Sequence, residues 1–290
     1  MSKPAIIITG KNGQLGSQLQ HAVTAVPQFN FIFFAKDELD ICNELELETL
    51  FKKYQPVFFI NTAAYTAVDK AEADQENAYL VNAAATGIIA KACSRCNTTL
   101  IHISTDYVFN GKGSEPYNED AATDPVNYYG YTKWKGEQLA LNNNPQTIVI
   151  RTSWVYSVYG NNFVKTMLRL MKDRKDINVV SDQFGSPTFA KDLAGAIIQI
   201  VVASFLSAPS SHYGIYHFSN EGAISWCDFA TAIRDIKQLD CLVHPITTAE
   251  FPTPAKRPAY SVMSKEKIHS TFNIQLHNWR DSLEECLKGL

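Results

Sequence analysis

One short stretch limits this chain's fold more than any other. The apolar run Ala5-Ile-Ile-Ile-Thr9 passes directly into Gly10-Lys-Asn-Gly13-Gln-Leu-Gly16. A buried parallel strand reads as a continuous apolar run, and the residues from Gly16 onward carry a helical pattern. Glycines between a strand and a helix permit a tight turn, and they let a pyrophosphate approach the helix N-terminus, where free N–H groups and the dipole favour anions. The spacing is G-x-x-G-x-x-G, a departure from G-x-G-x-x-G. The strand–turn–helix context is what makes the glycines a dinucleotide signal.

The alternation continues. The pattern predicts strands at 29–35, 57–60, 99–103 and 147–151, and helices over 16–26, 44–54, 74–96 and 129–142. Strands separated by helices require crossovers, so the expected fold is α/β: a Rossmann-type, doubly wound parallel sheet. After Trp154 the pattern loosens. Helices are expected over 162–173, 192–205 (stopped by Ser-Ala-Pro-Ser-Ser) and 226–239, and short strands at 177–180 and 214–218. The expected organisation is a dinucleotide-binding domain over 1–155. Residues 156–290 form mainly a smaller C-terminal substrate-binding region, with some segments returning to the first domain.

Composition excludes several alternatives. The chain has 290 residues, 46% of them hydrophobic and 19% charged, which is ordinary globular usage and not that of a disordered chain. A net charge of −3 gives no general pull on nucleic acid, so no nucleic-acid partner is expected. No apolar stretch reaches 18 residues, so no membrane association is expected. The first apolar run is too short for a signal-peptide core, and six irregularly spaced cysteines do not form a secreted disulfide framework. A cytoplasmic location is expected. Cys93-Ser-Arg-Cys96 has metal spacing but no second ligand pair, and reads as two reduced helical thiols.

The chemistry gathers at the ends of the strands. Lys36 and Asp37 follow the second strand, where an acid would bind ribose hydroxyls and a base a 2′-phosphate, so NADH and NADPH both stay open. Asp40-Ile41 follows, as an adenine contact or as part of the cap of the helix beginning near Asn43. Asn61-Thr-Ala63-Ala64-Tyr65 supplies small residues beside the third strand. Ser104-Thr105-Asp106 closes the fourth. Tyr129 and Lys133, four apart, share one helix face. A nearby ammonium favours phenolate, which makes such a tyrosine a workable acid for a ketone oxygen or base for an alcohol. Tyr131 and Lys135 fit the same Y-x-x-x-K spacing, and spacing alone does not choose between them.

With these blocks in this order the chain resembles the extended short-chain dehydrogenases/reductases, and within them the dTDP-4-dehydrorhamnose reductase family. The resemblance runs nearly end to end. It rests on Gly10–Gly16, Ala64-Tyr-Thr-Ala-Val-Asp-Lys-Ala-Glu72, Ser104-Thr-Asp-Tyr-Val-Phe109, Tyr129-Gly-Tyr-Thr-Lys133, Arg151-Thr-Ser-Trp-Val-Tyr156, Gly160-Asn-Asn-Phe163, Asp182-Gln-Phe-Gly-Ser-Pro187 and Pro252-Thr-Pro-Ala-Lys-Arg-Pro258. The family block around Pro125 and Asn127 sets the register, which makes Tyr129 and Lys133 the catalytic pair and Tyr131 a neighbour.

The resemblance implies further roles. Thr105 would polarise the substrate ketone, and Lys133 would anchor the nicotinamide ribose and hold the Tyr129 pKa down. Cofactor contacts would come from Gly10, Gly13, Gln14, Leu15, Gly16, Lys36, Asp40, Ile41, Ala63, Ala64, Tyr65, Tyr129 and Lys133. Thr105, Asp106, Trp154, Asn162 and Arg257 would bind a dTDP-sugar, with Arg257 equally placed for a structural ion pair. The implied reaction is NADPH- or NADH-dependent reduction of the C4 ketone of dTDP-4-dehydro-6-deoxy-L-mannose to dTDP-L-rhamnose. A homodimer is implied as well. Some relatives use Mg²⁺ through surface glutamates, but Ser17-Gln18 stands where an acid would be needed, and no metal ligand is assigned. Two alternatives belong to the same fold. One is a non-catalytic NADP-binding regulatory subunit of methionine adenosyltransferase; the other is a reductase or epimerase of a different nucleotide sugar.

Overall fold

The computed structural model describes residues 3–206 and 212–290. In its first half, β1 (Ala5–Thr9), α1 (Gln14–Ala22), β2 (Asn30–Phe34), α2 (Glu44–Tyr54), β3 (Phe58–Asn61), α3 (Val68–Ala71), α4 (Gln75–Tyr79), α5 (Ala85–Arg95), β4 (Thr99–Thr105), α6 (Tyr128–Asn143) and β5 (Thr147–Thr152) alternate. There follow β6 (Val155–Tyr156), α7 (Phe163–Asp173), β7 (Asp176–Val180), β8 (Phe184–Gly185), β9 (Thr188–Phe189), α8 (Ala190–Leu206), β10 (Gly214–Phe218), β11 (Ile224–Ser225), α9 (Trp226–Lys237), β12 (Leu242–Ile246), α10 (Glu266–Phe272) and α11 (Trp279–Lys288). The expected 207–211 stop after α8 lies outside the described residues.

Six strands make one parallel sheet in the order β10-β5-β4-β3-β1-β2. The continuous apolar runs follow from burial on both faces. In β1, Ile6 and Ile8 enter a core with Leu15 and Leu19 of α1 and Leu193 and Ile197 of α8. Ile7 between them faces the opposite core, with Leu47, Leu50 and Phe51 of α2 and Ile89 of α5. The chain leaves β1 for β2 on one side and then crosses to β3 on the other. That reversal opens a crevice at the carboxyl ends of β1 and β3, the usual ligand position in such sheets.

Two boundaries differ from expectation, each for a local reason. α1 begins at Gln14, inside the glycine motif, and tightens into a 3₁₀ turn over Val23–Ala25 before Pro27. The helix expected over 74–96 is α4 and α5 joined by a π turn at Leu80–Ala84. Asn82 sits in that turn. Its Oδ1 accepts the Tyr65 N–H at 2.8 Å, and its Nδ2 donates to the Tyr65 carbonyl and to Thr132 Oγ1, both at 3.0 Å. Single π turns inside helices recur at functional sites. Here one ties the loop after β3 to α6.

Beyond β5 a second core gathers Tyr156, Val164, Met167, Leu168, Phe229, Ile233 and Leu283. β10 leaves that region and pairs with β5, and α8 packs on the first core. The cysteines of the chain are all free: Cys93 is buried in α5, and Cys96 is exposed just beyond it.

Candidate active site

Between the sheet's carboxyl edge and the C-terminal region lies a cleft of about 1150 Å³. Sites for one small ligand run roughly 300–1,000 Å³, so this cleft has room for more than one.

The glycine turn forms one end. Gly10 has φ +77°, and a Cβ there would lie 2.5 Å from Thr62 Oγ1. At Gly16 a Cβ would lie 2.1 Å from the Gly10 carbonyl oxygen. The Gly13 N–H closes the turn on that same carbonyl at 2.9 Å. α1 then starts with no side-chain cap and no acid in its first turn. Its first N–H groups, at Gln14, Leu15 and Gly16, have no helical partner and line the cleft. Such a turn fits the pyrophosphate of a dinucleotide. The Gln14 side chain has another task. Its amide donates to the Val155 carbonyl at 3.3 Å and accepts from Asn162 Nδ2 at 2.9 Å, fastening the turn to the C-terminal region.

Lys36, Asp37, Asp40 and Ile41 line the next section of the cleft, and Ala63, Ala64 and Tyr65 the wall after β3. Asp40 is both a lining residue and a turn former: its Oδ1 accepts the Cys42 N–H at 2.9 Å, while Asn43 caps α2. Asn162 lines the cleft too, but its side chain is held by Gln14, by the Ser157 carbonyl and by the Lys165 N–H as the cap of α7. Arg257 does not line the cleft. Its guanidinium grips Asp69 through Nη1 at 3.1 Å and Nη2 at 2.8 Å, the ion pair that the sequence left open, which braces α3 against the C-terminal segment.

The reactive groups meet at the centre. Thr105 ends β4, Asp106 follows, and Tyr129 and Lys133 project from the first turns of α6. Asn127 fixes the start of α6 by accepting the Gly130 N–H at 2.7 Å, and its amide donates to the Lys256 carbonyl at 2.8 Å. Tyr131 packs between Tyr128 and Trp134, away from the cleft lining. Thr105 Oγ1 accepts the Tyr107 N–H at 3.2 Å and donates to Asp106 Oδ1 at 3.1 Å.

Burial sets the protonation states. It pushes the Tyr129 phenol up to about 12; the Thr105 hydroxyl draws it down and the Asp106 charge raises it. Burial thus opposes the lowering that the resemblance implies for Lys133. Lys133 Nζ donates to the Ile103 carbonyl at 2.6 Å. Burial pushes that amine down to about 8, opposed by the Glu137 carboxylate one turn on. Burial likewise raises Asp106 to about 6, against the hydroxyls of Ser261 and Thr105. Its Oδ2 is buried without a hydrogen-bond partner. At neutral pH the centre therefore offers a neutral phenol, a cationic amine and a carboxylate.

Other lining residues were not legible in the sequence: Thr62, Leu80, Val81, Tyr107 and Trp226. Trp226 opens α9, far along the chain, and no local pattern joins it to the site. Among the described residues no cluster of three or more His, Cys, Asp or Glu could hold a metal ion, and no helix is long and apolar enough to cross a membrane.

Comparison with known proteins adds four findings. The family described as RmlD substrate binding domain matches residues 4–290. A dTDP-4-dehydrorhamnose reductase of Aggregatibacter actinomycetemcomitans is 42% identical over 285 residues, covering 96% of this chain and 97% of that one. A crystal structure of dTDP-4-dehydrorhamnose reductase from Bacillus anthracis in complex with NADP superposes with a TM-score of 0.93 at 39% identity, covering 100% of both chains. A UDP-glucose 4-epimerase of Thermus thermophilus, 16% identical with a TM-score of 0.81, shares the fold alone.

Proposed function

We propose a function from the premise that this chain belongs to the RmlD substrate binding domain family, among the dTDP-4-dehydrorhamnose reductases. It is an NAD(P)H-dependent oxidoreductase that reduces the C4 ketone of dTDP-4-dehydro-6-deoxy-L-mannose, giving dTDP-L-rhamnose. The observation that carries this reading is the joint placement of the glycine turn, Thr105, Asp106, Tyr129 and Lys133 in one cleft.

The nicotinamide, when bound, supplies a hydride to the ketone carbon. The chain's residues handle the proton and the geometry. Tyr129, half-buried and neutral at pH 7, donates its proton to the developing alkoxide, a far stronger base than the phenolate left behind. The Thr105 hydroxyl stands beside that phenol to hold the ketone oxygen. Lys133, pinned to the Ile103 carbonyl, orients the nicotinamide ribose and keeps a positive charge beneath the site at neutral pH. Asp106, which lines the same cleft, takes a sugar hydroxyl. Trp154 bounds the sugar pocket. Gly10, Gly13 and Gly16, with the first N–H groups of α1, take the pyrophosphate.

The reading carries a cytoplasmic setting, supported by six free cysteines, and a homodimer. The test is cofactor consumption, followed by absorbance, with NADPH and NADH and the 4-keto sugar nucleotide. Stoichiometric oxidation with formation of dTDP-L-rhamnose supports the reading. Epimerised product without net cofactor consumption would replace it with an epimerase, and cofactor binding without any turnover would favour the regulatory-subunit alternative.

A further inference from the structure

Trp154 adopts a backbone conformation that a bulky residue rarely takes. Its φ is +49°, in the left-handed region, directly after β5. Side chains there are strained unless their surroundings over-determine them, and such outliers cluster at ligand clamps. Two neighbours over-determine this one. The Trp226 indole stacks on Trp154 at 3.5 Å between centroids and 10° between planes. Gly185 packs against the indole from β8, so closely that a Cβ there would lie 2.7 Å from Cε2 and 2.8 Å from Nε1. Phe163 supports Trp226 in turn, with centroids 4.6 Å apart. Trp154 and Trp226 both line the cleft. The sugar pocket thus has a wall whose foremost side chain is fixed by stacking and by the absence of a side chain at 185, with no hydrogen bond from its indole among the described residues.

We infer that Trp226 and Gly185 are positioning residues for the sugar-nucleotide pocket: they clamp the strained Trp154 indole in one orientation, and through it set the affinity for the 6-deoxy-4-keto sugar. The inference rests on the proposed reductase function. It assigns Trp226 no part in proton transfer and none in dinucleotide binding.

The test uses Trp226→Leu, Trp226→Phe and Gly185→Ala in the full chain. Stacked indoles give an exciton couplet in far-ultraviolet circular dichroism, and Trp154–Trp226 is the stacked indole pair among the described residues. Trp226→Leu is expected to abolish the couplet and raise the KM for the sugar nucleotide about 3- to 10-fold, the worth of one aromatic stack. The KM for NADPH and kcat should stay within about twofold. Trp226→Phe loses the couplet but keeps a ring on Trp154, and should recover most of the KM. Gly185→Ala should raise the same KM by displacing the ring without removing any aromatic group. Loss of the couplet with an unchanged sugar KM would overturn the proposal. So would parallel changes in kcat and both KM values, which a merely structural role would produce. A wild type that binds dTDP-L-rhamnose without turning over the ketone fails the reductase reading alone, and product Kd across the same variants then decides this proposal. A wild type with neither turnover nor product binding overturns both.

Discussion

Removing Glu137 should destabilise the protein more than most single substitutions, because it would leave a cation buried without its partner. Arg151 of β5 and Glu137 of α6 are 2% and 0% exposed, with Nε to Oε1 at 2.9 Å and Nη2 to Oε2 at 2.8 Å. Ser104 Oγ adds a third bond to Oε1 at 2.5 Å. The pair thereby joins β4, β5 and α6, the elements that carry Thr105, Tyr129 and Lys133. Glu137→Leu leaves Arg151 with only the His217 ring at 3.4 Å, the Glu119 carbonyl at 3.5 Å and the Phe109 face. Breaking a buried pair on one side costs about 3–5 kcal/mol. An unfolding entropy of roughly 0.6 kcal/mol/K for a chain of this length turns that into a Tm lower by about 5–8 °C. The double variant Glu137→Leu/Arg151→Met removes both charges and should recover most of the loss, since a buried ion pair contributes little over an apolar one. Thermal unfolding by circular dichroism at one scan rate measures all three proteins. A Glu137→Leu protein within about 1 °C of wild type, or a double variant as unstable as the single, would refute this argument.

Two further outcomes follow from the site. Burial raises folded Asp106 from 3.8 to about 6, so its protonated form is the one folding favours. Its stabilising contribution is complete below about pH 4 and lost as pH rises through 6. Asp106→Asn should therefore be more stable than wild type at pH 7 by about 3 kcal/mol, with the difference vanishing near pH 4 in chemical denaturation, while sugar binding weakens. Tyr131→Phe alters a residue packed between Tyr128 and Trp134 outside the cleft, so kcat/KM should stay within about twofold of wild type in the same cofactor assay.

What was legible in the sequence was whatever a short segment specifies by itself. Ile6, Ile7 and Ile8 announce a strand buried on both faces, and Gly10 and Gly16 announce a turn in which a side chain would clash. Tyr129 and Lys133 share a helix face by spacing alone, although the choice over Tyr131 needed a family resemblance. What was not legible depended on partners distant in the chain. Arg257 is drawn out of the cleft by Asp69, 188 positions away. Burial is the largest influence on the phenol of Tyr129 and raises its pKa, an effect the local sequence does not show. Trp226 reaches the site because α9, which it opens, packs against α7 and brings its indole onto Trp154. The π turn at Leu80–Ala84 likewise answers to Tyr65 and Thr132, not to its own sequence.

The central claim is that Tyr129 delivers the proton. The most direct measurement compares wild type and Tyr129→Phe in cofactor oxidation with the 4-keto sugar nucleotide, alongside the Kd for NADPH of each. General acid catalysis supplies about 10²- to 10⁴-fold, so turnover should fall by at least that order while the Kd for NADPH changes little. A Tyr129→Phe protein that turns over at near the wild-type rate would contradict the account.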